Sequence, residues 1–104
     1  MLEGLKISAC SSYTLEVVCD CPIKEFSKLI AKLWEKIMDE PEVRIRDRGE
    51  FIEVYPVVPI SEKSTTALCI KQADSGRYII TSPNKFREEE YLSLIRKSLE
   101  EQIS

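Results

Sequence analysis

Between Pro22 and Pro41 the chain carries one apolar stripe and one charged face, and this segment constrains the fold more than any other. Ile23, Phe26, Leu29, Ile30, Leu33, Ile37 and Met38 recur three and four residues apart, the spacing of one face of an α-helix. Lys24, Lys28, Lys32, Glu35 and Lys36 fall on the other face. Pro22 suits the first helical position, because its φ is preset and its missing N–H is not needed there; Cys21 or Asp20 is then the cap. Pro41 ends the helix. Such a helix persists only when its stripe is covered, so the rest of the chain must supply an apolar surface.

Strands supply it. Leu5, Ile7, Ala9, Tyr13, Leu15, Val17, Cys19 and Cys21 all fall on odd positions, with Ser11 interrupting. Period two marks a half-buried strand. The unbroken phase fits one long bent strand, the simpler reading, or a hairpin with an odd-numbered loop around Ser11-Ser12 that sets Ile7 across from Val17. After the helix, Val43 and Ile45 point one way and Arg44 and Arg46 the other. Arg48-Gly49 fits a two-residue turn with Gly at positive φ. That register sets Ile45 opposite Ile52, Arg44 opposite Glu53 and Phe51 opposite Arg46. Residues 51–57 form the return strand, near an edge because Pro56 has no N–H to donate. Residues 58–64 read as a loop, and 65–72 with 77–82 as a second hairpin around Ala73-Asp74-Ser75-Gly76. A second helix runs from about Lys85 to Gln102. Asn84 caps it, Glu88, Glu89 and Glu90 sit at its positive end, and Leu92, Ile95, Leu99 and Ile103 form its seam.

The order is β (or ββ)-α-β-β-β-β-α. The expected fold is α+β: a curved antiparallel sheet of five or six strands with both amphipathic helices on one face, in a single domain spanning residues 1–104. This element order resembles the TATA-binding-protein-like and helix-grip topologies. The resemblance implies a fold alone, since no motif accompanies it.

Composition agrees with one globular core: 104 residues, 43% apolar and 32% charged. No apolar run reaches the ~20 residues needed to cross a bilayer. The first residues carry an acid, Glu3, where a secretory signal carries base, so the expected location is the cytoplasm. A net charge of −3 creates no global field for nucleic acid or membrane. One Asn and two Gln among abundant Glu, Lys and Ile is a heat-adapted pattern and points to a thermophile. Intracellular disulfides are then admissible.

Without His, no Ser-His-Asp or Cys-His nucleophile pair can be built. Three isolated glycines form no phosphate loop, and no cofactor or metal is implied. Cys19-Asp20-Cys21 stands where strand meets helix. Backbone N–H groups at a helix N-terminus favour a thiolate, which makes Cys21 a candidate reactive thiol with Cys19 or Cys10 as resolving partner. The spacing matches neither the C-x-x-C redox motif nor paired zinc spacing, and the usual role of such cysteines, Cys19 and Cys69 included, is as small core hydrophobes.

Arg44, Arg46 and Arg48 line one strand face and suit phosphate contact, with Phe51 as a stacking surface. Glu42, Asp47, Glu50 and Glu53 surround them, so a solvated, salt-bridged face competes with a nucleic-acid site. Lys24, Lys28 and Lys32 form a basic stripe diluted by Glu25 and Glu35, which reads as a solvated face and not a membrane surface. Trp34 flanks the apolar stripe and either completes the core or serves as an interface anchor. Tyr13, Tyr55, Tyr78 and Tyr91 either pack or line a cavity between sheet and helix. By elimination the expectation is a non-enzymatic interaction module that self-associates as a homodimer through Trp34. The alternatives are a nucleic-acid contact through the Arg strand and a small-ligand or thiol-dependent protein centred on Cys21.

Overall fold

The computed structural model describes residues 3–39, 42–57 and 66–103. In chain order the elements are β1 (Lys6–Cys10), β2 (Leu15–Val18), α1 (Ile23–Met38), β3 (Val43–Asp47), β4 (Ile52–Pro56), β5 (Leu68–Asp74), β6 (Arg77–Thr81) and α2 (Glu88–Ile103). Pro41, the expected loop over 58–64 and the expected strand start at residue 65 lie outside the described residues.

The six strands form one antiparallel sheet in the order β1-β2-β6-β5-β4-β3. The α+β reading therefore holds. Residues 5–21 are a hairpin and not the long strand, and Ile7 does face Val17. The loop closes with the Ser11 N–H on the Thr14 carbonyl oxygen at 2.9 Å. Four loop residues would break the odd-position phase, and a bulge between Ile7 and Ala9 restores it by one residue. That bulge turns Ala9 toward Glu16, away from the core.

Parity assigned the faces of β3 and β4 correctly but placed the turn wrongly. Ile45 faces Val54, Arg46 faces Glu53 and Arg44 faces Tyr55. Relative to the expected register the strands slip by two residues, which leaves every side chain on its face. The cause is turn chemistry. Asp47 Oδ1 accepts from the Gly49 N–H at 2.8 Å, and the Arg48 N–H reaches the Phe51 carbonyl oxygen at 2.9 Å, making a longer turn. The β5–β6 turn is tighter than expected, with Asp74 opposite Arg77 and an irregularity between Gln72 and Asp74.

Both helices cover one face. α1 packs on β3 and β4, α2 on β1 and β6, and the helices touch each other. Their apolar seams meet Leu15, Val17, Val54, Leu68, Ile70 and Ile80, all buried. The sheet is open and uncurled, with β1 and β3 as edges, where curvature was expected. Two helices of 16 residues lying side by side already span most of its width, so no wrapping is needed. Pro22 is the cap residue and not the first helical one: its ψ is 153°, outside the helical range, and its carbonyl oxygen accepts from the Phe26 N–H. Asp39 closes α1 in the left-handed region at φ 52°. Asn84 Oδ1 accepts from the Phe86 N–H, so it caps a turn that leads into α2 four residues on.

Candidate functional site

With both helices on one side, no helix or strand among the described residues covers the opposite sheet face. Alternation puts Val18, Glu16, Arg77, Ile79, Lys71, Cys69, Thr81, Glu53, Arg46, Tyr55 and Arg44 on it. Near its centre, on β5 and β6, lie Cys69, Ile79 and Thr81, each partly buried.

The Arg strand is real, and its charges are engaged. Arg44 Nε lies 2.8 Å from Glu42 Oε1, and that hydrogen bond holds the guanidinium even more firmly charged. Arg46 covers the Tyr55 ring at 4.5 Å from its centroid, so the stacking surface is Tyr55, already occupied, and not Phe51. Arg48 projects from the turn to Glu53, Nε to Oε1 2.6 Å. Glu53 also accepts from Thr66 Oγ1 at 2.7 Å. These bonds, Thr66 first and Arg48 second, hold the Glu53 carboxyl below the usual carboxylate range. Opposed charges thus occupy much of what a phosphate would need. Lys24, Lys28 and Lys32 are exposed, as a solvated helix face requires.

Trp34 lies in the monomer's own core. It is 1% exposed and meets Tyr91 of α2 edge-on, with centroids 4.9 Å apart. Its expected place at an interface fails for that reason: α2 covers the flank of α1 that periodicity alone leaves open. Tyr78 is likewise internal, stacked on Phe26 at 4.6 Å, and burial pushes its hydroxyl pKa up. Tyr13 is exposed at the first hairpin loop. Among the described residues the four tyrosines lie apart, Tyr91 against Trp34 and Tyr55 on the opposite sheet face.

The cysteines divide in two. Cys19 and Cys21 form a disulfide with Cα atoms 5.5 Å apart, while Cys10 and Cys69 are free. Cys21 is therefore no free thiolate in this state, which corrects the reactive-thiol expectation. Closing so short a loop withdraws only about 1.5 kcal/mol of chain entropy from the unfolded state, so the bond is a weak staple. The backbone around it is fixed independently. The Cys19 N–H donates to the Gly76 carbonyl oxygen at 2.8 Å, the Asp20 N–H to the Glu3 carbonyl oxygen at 2.9 Å, and the Tyr78 hydroxyl to the Cys21 carbonyl oxygen. Gly76 sits at φ +76°, and a Cβ there would stand 3.0 Å from the Cys19 carbonyl oxygen. Burial pushes the Cys69 thiol up, with the charge of Glu53 adding to it.

Sequence reasoning missed Ile79 and Cys69 as the centre of an open face. Their signal is the odd-position phase Arg77, Ile79, Thr81. Among the described residues no group of three or more His, Cys, Asp or Glu could hold a metal ion, and no helix is long and apolar enough to cross a membrane. Compared with protein-family models, curated proteins and solved structures, the chain gives no match.

Proposed function

We propose that the chain is a small non-enzymatic interaction module that self-associates through the bare face of its sheet. The observation that carries this reading is that face, over which no described helix or strand lies, with Val18, Cys69 and Ile79 half-buried on it and Arg and Tyr side chains around them. Aromatic residues and Arg are enriched at protein interfaces. Charge selects the arrangement. A two-fold axis running along the strands sets β3–β4 of one copy over β1–β2 of the other, so Arg44 and Arg46, held by Glu42 and Tyr55 in their own copy, approach Glu16, which lies 3.4 Å from Arg77 in its own. An axis across the strands would set the arginines on themselves.

Area sets the strength. Six strands ~4.8 Å apart and about five residues long present roughly 500 Å² per copy. That is less than the ~800 Å² per partner of a standard stable interface, so the dimer is weak and concentration-dependent. Sedimentation equilibrium tests it. The wild type should be a dimer in the tens-of-micromolar range, and Ile79→Glu should return it to monomer with an unchanged circular dichroism spectrum. A wild-type monomer at about 100 μM would defeat self-association.

A further inference from the structure

The Cys19–Cys21 bond plays no part in that surface, and its surroundings are those of a reaction site. The two sulfurs are unequal in access: Cys19 is fully buried at the end of β2, whereas Cys21 is half-buried beside a cleft of about 570 Å³. Pro22, Gln72, Ser75, Gly76 and Tyr78 line the cleft with it. One sulfur is therefore open to an incoming thiol and the other is shielded. Backbone hydrogen bonds on residues 19, 20 and 21 hold the segment whether or not the sulfurs are joined. Opening the bond leaves the two thiols close together, poised to close again. Cys21 also immediately precedes the cap of α1, and that cap makes no side-chain hydrogen bond. The first-turn N–H groups of α1 lie beside Cys21, together with the carboxylates of Asp20, which also lines the cleft, and Glu25 in the first turn.

We propose that Cys19–Cys21 is a redox-active disulfide that exchanges with a dithiol through Cys21. A partner thiolate attacks Cys21 Sγ and forms a mixed disulfide; the Cys19–Cys21 bond breaks, and Cys19 leaves as a thiolate and takes up a proton. The partner's second thiol, deprotonated, then attacks its own sulfur in the mixed disulfide, and Cys21 leaves as a thiolate. In net terms two electrons and two protons pass from the dithiol to the protein. The partner becomes a disulfide and the protein holds two thiols. The cleft beside Cys21 is the seat for the incoming dithiol.

The test uses the full chain carrying Cys10→Ser and Cys69→Ser, with dithiothreitol as the dithiol. Reduction should proceed in the native state, with the circular dichroism spectrum and the melting cooperativity retained, and oxidised glutathione, after the dithiothreitol is removed, should reverse it. In the reduced protein, iodoacetamide should label Cys21 at least about tenfold faster than Cys19. Cys19→Ser should trap a mixed disulfide with oxidised glutathione, whereas Cys21→Ser should trap one only after unfolding. The proposal is overturned if the bond resists dithiothreitol until the protein unfolds, if reduction itself unfolds the chain, if no Cys19–Cys21 disulfide re-forms under oxidised glutathione, or if Cys19 labels as fast as Cys21.

Discussion

Replacing Trp34 by Ala removes the largest buried side chain and separates two explanations of that residue. Trp34 is 1% exposed and packs edge-on against Tyr91, so the change deletes nearly all its packing and one aromatic pair. Burial of roughly 200 Å² at ~25 cal/mol per Å² is about 5 kcal/mol, and measured Trp→Ala losses in cores run about 3–5 kcal/mol. Against a total stability of about 5–15 kcal/mol, the variant should stay folded with a melting temperature lower by roughly 15–25 °C. Trp34→Glu, which adds an unpaired buried charge, should not fold. Urea titration followed by far-ultraviolet circular dichroism measures the first, and the blue-shifted emission of this lone tryptophan reports its burial in the wild type. A loss under about 1 kcal/mol, coupled to loss of dimer, would put Trp34 on the surface and refute the packing argument.

The pH dependence of stability should carry a signature of Glu53. Its folded-state pKa is lowered, so its contribution is complete above its unfolded value of about 4.3 and is lost as pH falls through the folded value. Urea midpoints should therefore drop more steeply in acid for the wild type than for Glu53→Gln, and parallel slopes would contradict this. Ser27 is fully buried with no hydrogen-bond partner for its hydroxyl among the described residues, so Ser27→Ala should stabilise by about 1 kcal/mol, read as a raised melting temperature. Because Arg44 and Arg48 are ion-paired and Arg46 lies on Tyr55, Arg44→Glu with Arg46→Glu should leave only weak, non-specific nucleic-acid binding unchanged. A salt-dependent, sub-micromolar affinity that the pair abolished, measured by fluorescence anisotropy, would revive the Arg strand as a site.

The sequence was most legible where one local period decides the outcome. α1 lies where its stripe predicts, because residues three and four apart meet on a single face whatever the rest of the chain does. Strand faces were equally legible, and register was not. Ile45 against Ile52 and Ile45 against Val54 put the same residues inward, so hydrophobicity is indifferent and the Asp47–Gly49 hydrogen bond decides. The Ser8 bulge is invisible for a related reason: an even loop plus one bulge residue preserves the phase that made residues 5–21 look like one strand. Trp34 needed knowledge of Tyr91, 57 residues away, which no window on α1 contains. The open face follows from both helices lying on one side, which the element order already implies, whereas the oxidation state of Cys19 and Cys21 is written in no periodicity at all.

Self-association through the bare face is tested most directly by its own thiol. Cys69 lies near the centre of that face, opposite Thr81 and Glu53, whereas Cys10 lies on the edge strand opposite Leu15, toward the helices. Both are free, so each reports the access of reagent to its own surface within one molecule. The rate of maleimide labelling is to be followed by mass spectrometry across a dilution series spanning about three decades around the micromolar range. Face-to-face pairing predicts that labelling at Cys69 slows as protein concentration rises, while labelling at Cys10 does not change. A Cys69 to Cys10 rate ratio that stays constant over the whole series would mean that the face remains open to solvent, and would contradict the account.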